Sequence, residues 1–493
     1  MSTILDTIAD AARKRTARSK QIIPAEEMIR RARAMNPDTG FPFEKALKKP
    51  GLSFICECKK ASPSKGLISR DFPYLSIARE YEQAGAAAIS VLTEPEWFLG
   101  SDEILREIAG SVSIPCLRKD FVVDEYMIYE AKVLGASAVL LICALLDEDT
   151  LRRYMEIADS LGLSALVEAH DPAEIETAVR SGARIIGVNN RNLKDFTVDV
   201  RNAYRLRKLV PRDILFVSES GIRTPEDIRI LRDAGADAVL IGETLMRAKD
   251  RCAYLDYLKG RTRLKMCGMR RPEDIRSANR VRPDYIGFIF DPSRRRYVTP
   301  EQAAALRSEL DPGIRAAGVF VNADLPDILK ITEAGTIDLI QLHGQETAED
   351  ILTLRNALDQ RGYHNVSIIQ AFQIHGEEDI RQAFSTPADL VLLDSGAGSG
   401  QSFNWDLLQN ADRFRRPYIL AGGITPANTG EAIRKLHPFC LDASSGLETD
   451  GKKDPVKMAE MKRRAEEAMT EGKEVTEGTA EEMHTEETAG EHQ

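Results

Sequence analysis

The sequence lacks an apolar run long enough to span a bilayer. Its longest strongly apolar stretch, Val133 to Leu146, falls short of the roughly 18 to 20 residues that a membrane helix needs, so no membrane partner is expected. Little at its start suggests secretion: MSTILDTIADAARKRTARSK has no apolar run before its basic residues and no cleavage pattern, so no secretory leader and a cytoplasmic location are expected. Seven cysteines (Cys56, Cys58, Cys116, Cys143, Cys252, Cys267, Cys440) include no CxxC pair and are spread thinly. That excludes a zinc ribbon and a CxxC redox motif and predicts reduced thiols. Strong basic runs are missing too. The net charge is −10, but Ala465 to Gln493 holds ten Glu against Lys473 alone, leaving about −1 for the rest. Nucleic acid is therefore not an expected partner.

What is present is core-forming material in quantity: 493 residues, 43% hydrophobic and 29% charged, which excludes disorder throughout. From Leu52, short β-rich runs recur: LSFICECK (52), AAISVLTE (87), IPCLRKDF (114), AVLLICALL (138), LSALVEAH (163), RIIGVNNR (184), ILFVSESG (214) and AVLIGETL (238). Between them lie segments of helical period such as YLSIAREYEQAG and PEDIRILRDAG. Eight strand-helix units are the count of a closed parallel barrel. A second series of eight follows: RLKMCGM (263), YIGFIF (285), RAAGVFVN (315), LIQLHG (339), VSIIQAF (366), ADLVLLDS (388), PYILAGGI (417) and FCLDASSG (439). The pattern predicts an α/β chain of two consecutive (β/α)8 barrels, 1–259 and 260–465, with an N-terminal helical extension. Residues 466–493, Glu-rich and poor in apolar groups, are expected to form a disordered acidic tail.

Each half repeats one signal after its seventh strand, SGIRTPEDI (220–228) and GGITPANTG (422–430). Thr224 and Thr425 can cap helices, Pro225 and Pro426 suit a first helical turn, and Gly221, Gly422 and Gly423 let backbone amides approach an anion. Gly242 and Glu243 follow the eighth strand of the first half; Ser444, Ser445 and Gly446 follow that of the second. Loops after strands 7 and 8 are where such barrels often bind phosphate. A cap and a tight turn explain one such loop; four point to phosphorylated small-molecule ligands.

Strand alternation places Glu57 and Lys59 opposite Cys56 and Cys58, with the thiols toward the helices and the charged pair toward the barrel interior. Lys119, Glu168, Asn189, Arg191, Glu219 and Ser220 fall at the carboxyl ends of strands 3, 5, 6 and 7. A salt-bridge network closing the barrel mouth is one reading, and a Schiff-base lysine at 119 another. A third is acid-base chemistry by lysines and carboxylates that shift one another's pKa values. In the second half Cys267 ends strand 1 and Asp394 ends strand 6. Cys267 is either an inert packed thiol or, followed by Gly268 at a barrel mouth, a reactive one. His343 reads as a satisfied core histidine, and one of Arg294 to Arg296 is expected to touch ligand.

The stretches CECKKASPSKG (56–66), LRKDF (117–121), LVEAH (166–170), IGVNNRNL (186–193) and SESGI (218–222) resemble the indole-3-glycerol-phosphate synthase family. The resemblance implies Lys119 as general acid and Glu168 as general base. Glu57, Asn189, Glu219 and Ser220 would orient the substrate and stabilise charge, and Lys59 and Arg191 would grip its carboxylate. Lys59 is also a proton-transfer candidate, and Ser62 joins the substrate-binding set. KMCGM (265–269), FDPSRRRY (290–297), GVFVN (318–322), QLHG (341–344), LLDSGAGSG (392–400), AGGITPAN (421–428) and DASSGLE (442–448) resemble phosphoribosylanthranilate isomerase. That resemblance implies Cys267 as general base, Asp394 as general acid and Arg296 as the anthranilate-carboxylate ligand. Together the two imply consecutive steps of tryptophan biosynthesis with no metal or organic cofactor, and a monomer is expected.

Overall fold

The computed structural model of the chain describes residues 3–191, 197–394, 405–408 and 416–470. It divides into two compact units, 1–255 and 256–493. In the first, eight parallel strands close into a barrel: β1 (Ser53–Cys58), β2 (Ala88–Leu92), β3 (Cys116–Lys119), β4 (Ala138–Ile142), β5 (Ser164–Ala169), β6 (Ile185–Asn189), β7 (Leu215–Glu219) and β8 (Ala238–Ile241). The ring is sealed where Ser53 to Cys56 of β1 pair with Ala238 to Ile241 of β8. Inward aliphatic residues such as Ile55, Leu117, Leu140, Leu166 and Val217 fill the barrel, and Phe43 and Leu47 of the helix Pro42–Leu47 pack against them. Each fully buried aliphatic side chain of this kind contributes about 1.5–3 kcal/mol relative to exposure.

Three helices precede the first strand of this barrel: α1 (Ile4–Ile22), α2 (Ala25–Arg33) and the Pro42–Leu47 helix. α1 starts where the sequence supplies a capping box: Asp6 N–H donates to Thr3 Oγ1, while Thr3 N–H donates to Asp6 Oδ2 at 2.9 Å. The chain stays helical until Ile23, just before Pro24. Ile8, Ala9 and Ala12 bury one face. Arg15 then anchors the helix, donating to both oxygens of Asp120 at 2.7 and 2.8 Å.

The second unit holds another closed barrel: β9 (Arg263–Cys267), β10 (Tyr285–Ile289), β11 (Arg315–Phe320), β12 (Leu339–Leu342), β13 (Ser367–Gln373), β14 (Leu390–Asp394), β15 (Tyr418–Leu420) and β16 (Cys440–Ala443). A small antiparallel hairpin, β17 (Glu448–Thr449) with β18 (Lys452–Lys453), follows. All sixteen barrel strands fall on the runs named from the sequence. One expectation fails: residues 466–470, assigned to a disordered tail, complete a helix over 455–470. Met458, Met461, Ala465 and Ala468 put its apolar stripe, at helical spacing, into the second core. The Glu-rich remainder, 471–493, lies outside the described residues.

Candidate functional site

A parallel barrel gathers every strand's carboxyl end at one mouth, and in the first unit that mouth holds a cavity of about 180 Å³. All twelve catalytic and substrate-binding candidates of the first half line it: Glu57, Lys59, Ser62, Lys119, Glu168, Asn189, Arg191, Glu219, Ser220, Gly221, Gly242 and Glu243. Lys119, at the end of β3, donates to Glu168 Oε2 at 2.9 Å and to Glu219 Oε2 at 2.6 Å. Asn189 Nδ2 reaches Glu168 Oε1 at 3.3 Å, and Lys59 pairs with Glu57 at 2.5 Å.

Two glycines make the crowding possible. On β6, between the two glutamate strands, Gly187 is level with Glu168, and a Cβ there would lie 2.3 Å from Glu219 Oε1. At Gly242 a Cβ would lie 2.1 Å from Glu57 Oε1 and 2.8 Å from Lys59 Nζ. The expectation that Cys56 and Cys58 face away from the charged pair holds: both are buried, while Glu57 and Lys59 line the cavity.

The electrostatics separate the two carboxylates. Burial alone would raise Glu168, but the ammonium of Lys119 and the ring of His170 overrule it and hold it ionised. His170, 3.4 Å from Glu168 and 3.1 Å from Glu174, is itself raised to about 10: burial lowers it, and its two carboxylate partners more than reverse this. Glu219 goes the other way, raised to about 7 by burial, which the charges of Glu168 and Glu57 reinforce against the pull of Lys119. Its Oε1 is buried without a hydrogen-bond partner among the described residues. Lys119 stays charged because the carboxylates outweigh its own burial.

Sequence reasoning missed the apolar side of this cavity. Ile4, Leu5 and Ile8 of α1, with Phe98, Phe121, Leu92 and Leu140, face the polar group. It also passed over His170 and Gly187. The loops after β7 and β8 are bonded together by Thr244 Oγ1 donating to Ile222 O at 2.7 Å, and Ser220 and Gly221 both have positive φ, 71° and 84°. Glu243 turns its carboxylate to Arg247 at 3.0 Å, with Arg191 3.8 Å away.

In the second unit Cys267 is buried at the end of β9, in space that Gly287 leaves open: a Cβ at 287 would lie 2.5 Å from Sγ. Gly268, at φ 86°, lets Arg296 in beside it, where a Cβ would meet Arg296 Cδ at 2.5 Å. Glu448 fixes that arginine through Nε and, at 3.1 Å, Nη2. Arg294 and Arg295 are more than half exposed. Ser444 Oγ donates to Cys267 O at 3.1 Å, which brings the last loop to the thiol. Gly422 and Gly423 have φ of 81° and 67°, and Gly446 packs so closely on Ile424 that a Cβ would lie 2.0 Å from its carbonyl oxygen. Asn428 Oδ1 accepts from Thr425 N–H at 2.8 Å and its Nδ2 donates to Gly423 O at 2.9 Å, which sets this turn.

Asp394, at the end of β14, lies 3.8 Å from His343 Nε2. The reading of His343 as a packed core residue is thus corrected: the ring faces the acid and is partly open to solvent, with Gln341 holding Nδ1 at 3.0 Å. A two-residue alternation from buried Gln341 could have flagged it. Ser395 to Gly400 of the LLDSGAGSG stretch, and Asn192 and Leu193 of IGVNNRNL, lie outside the described residues. Among the described residues no group of three His, Cys, Asp or Glu is placed to hold a metal ion, and no helix is long and apolar enough to cross a membrane.

Comparison with known families fits this division. The model for indole-3-glycerol phosphate synthase matches residues 5–258, and that for N-(5'-phosphoribosyl)anthranilate isomerase matches residues 264–463. The chain belongs to both families. An indole-3-glycerol phosphate synthase of Ruminiclostridium cellulolyticum is 60% identical over 257 residues, 52% of this chain and 99% of that protein. A multifunctional tryptophan biosynthesis protein of Schizosaccharomyces pombe is 35% identical over 463 residues, 84% of this chain and 59% of that protein. The crystal structure of phosphoribosyl anthranilate isomerase from Thermotoga maritima is 32% identical, covering 42% of this chain and 98% of that one, with a TM-score of 0.37. The synthase-family barrel is therefore the first unit, and the isomerase-family barrel is the second.

Proposed function

We propose that the second barrel isomerises N-(5'-phosphoribosyl)anthranilate to 1-(2-carboxyphenylamino)-1-deoxyribulose 5-phosphate. The first barrel then closes that product to indole-3-glycerol phosphate, losing carbon dioxide and water. The observation that carries the synthase chemistry is Lys119 bridging Glu168 and Glu219 in a cavity with one apolar wall. Ring closure needs a proton on the ketose carbonyl while the aromatic carbon attacks it, and Lys119, held charged, is the donor. Loss of carbon dioxide restores the benzene ring, and Glu168, held ionised, is the base for the dehydration that then completes the indole. Lys59 and Arg191 grip the carboxylate that departs as carbon dioxide, and Phe98, Phe121 and the α1 residues face the ring. Gly221 and Gly242 offer main-chain N–H groups to the phosphate. The carboxylate of Glu243, already bound to Arg247, has no part in that contact.

In the isomerase barrel Asp394 gives its proton to the ribose ring oxygen, opening the ring to an iminium. Cys267 then takes the proton from C2, and Arg296 holds the anthranilate carboxylate. Gly422, Gly423, Ser444, Ser445 and Gly446 receive the phosphate. Each site is assembled from one chain, so a monomer suffices, and a biosynthetic enzyme of this kind is expected in the cytoplasm. The test is a time course on purified protein given fresh N-(5'-phosphoribosyl)anthranilate. Indole-3-glycerol phosphate appearing after a lag, through the ketose, is the expected result. Ketose accumulating without indole would refute the synthase assignment; no turnover would refute the isomerase assignment, and no indole from the ketose supplied directly would then refute the synthase as well.

A further inference from the structure

The isomerisation assigned to the second barrel asks a buried thiol to accept a proton from carbon. Burial works against this, because a thiolate away from water is costly and the thiol of Cys267 is accordingly pushed up. A general base in that position needs a nearby cation. The fold supplies one directly beneath it. Lys265 is two residues earlier on β9, hence on the same inward face, and it is among the largest fully buried side chains of the molecule. Its register partner on the adjacent strand β16 is Asp442, whose Oδ2 accepts from Lys265 Nζ at 2.7 Å. The lysine's own burial would lower it, but Asp442 and the thiol keep it protonated.

We propose that Lys265 is the positioning residue that holds the Cys267 sulfur in place and stabilises it as a thiolate, with Asp442 fixing the ammonium. The inference rests on the assignment of Cys267 as the proton acceptor. Three charged side chains act on the sulfur most strongly. Lys265 on its own strand and Lys453 on β18 favour the thiolate, and Asp442 on β16 opposes it. Arg296 passes beside Gly268, tied to Glu448, and Lys453 is tied to the same carboxylate at 3.1 Å. Lys453 is spread over Glu448 and the Ser444 carbonyl, at 2.8 Å, and burial lowers its pKa. Lys265, with one carboxylate partner, is the stronger of the two supports. An ammonium that donates to a carboxylate on one side and shares a strand face with a thiolate on the other has its charge compensated in a dry site. This explains why a lysine is tolerated inside a barrel whose other interior positions are mostly aliphatic.

The experiment is the pH profile of kcat/KM for isomerisation by the full chain, from about pH 6 to about pH 10, for the parent, Lys265→Gln and Lys265→Arg. The glutamine amide can still donate to Asp442 but carries no charge. In Lys265→Gln the limb belonging to Cys267 should move up by about one to two units. At neutral pH the rate then falls about 10- to 100-fold, and it recovers as the pH rises. Lys265→Arg should keep the limb near its parental place. The alkylation rate of Cys267, read by peptide mass spectrometry across the same range, should shift with the kinetic limb. A loss of equal size at every pH, or an arginine variant as impaired as the glutamine one, would overturn the proposal by making Lys265 a packing residue. Should Lys265→Gln fail to bind the ketose product, Lys265→Gln/Asp442→Asn removes the lone buried carboxylate and is read in the same way. Cys267→Ala separates the two ideas. If it isomerises normally, the assignment of the base is wrong; if it is inactive while Lys265→Gln leaves the limb unmoved, only the role of Lys265 is wrong.

Discussion

Lys119 serves two carboxylates with one ammonium, and the consequences can be counted in protons. With Glu168 held ionised and Glu219 raised to about 7, the pair is pushed apart, as acid-base sites require. Ionised Glu219 anchors Lys119, so protonating it removes one of the lysine's two acceptors. The synthase kcat/KM is therefore expected to fall on the acid side with a limb near neutrality, and Glu219→Gln should be slower and lose that limb; a pH profile checks both. Lys119→Ala should cut indole formation by roughly 10²- to 10⁴-fold, the usual weight of a general acid, and leave isomerisation intact. Cys267→Ala should do the reverse. Paired assays on each variant decide whether the two sites are separate.

Among the elements, α1 acts at two points along its length. Ile4, Leu5 and Ile8 wall the cavity, while Arg15 clamps Asp120, the residue after Lys119. Arg15→Ala is expected to loosen that wall and raise the synthase KM several-fold with little change in isomerisation, measured by steady-state kinetics. Gly242→Ala should be worse, because its Cβ would displace Glu57 and Lys59 together; a fall of both kcat and kcat/KM is expected. The strands and their charged ends were legible in the sequence because alternation and run length are local signals. The α1 wall was not: Ile4 and Phe121 lie far apart in sequence, and an isoleucine facing substrate has the same local pattern as one facing the core. Gly187 was invisible for the same reason, since what it makes room for comes from a different strand. Lys265 sat in a named motif, yet only the register with Asp442 reveals its partner.

The whole molecule is two barrels, each with its own core, and its last described helix belongs to the second of them. Deleting 471–493 should leave both activities and both melting transitions unchanged. Deleting from 455 removes Met458, Met461 and two buried alanines from the core. At about 2–5 kcal/mol for each large apolar side chain lost, against a total stability of about 5–15 kcal/mol, the isomerase barrel should unfold at a much lower temperature. Calorimetry and the two assays read this out, and an unchanged isomerase after that deletion would contradict the assignment of the helix to its core. Acidic composition drew the boundary at 466, before the helix ends at 470, because Ala468 is small enough to pass for a tail residue.

Carrying both barrels on one polypeptide also fixes a quantity that expression level cannot alter. The two sites are always made in equal number, so at steady state below saturation the enzyme concentration cancels. The level of the ketose relative to its precursor then equals the ratio of the two kcat/KM values. The pool of the intermediate is thus written into the two active sites themselves, and a ten-fold change in enzyme concentration should speed the flux while leaving that ratio where it was.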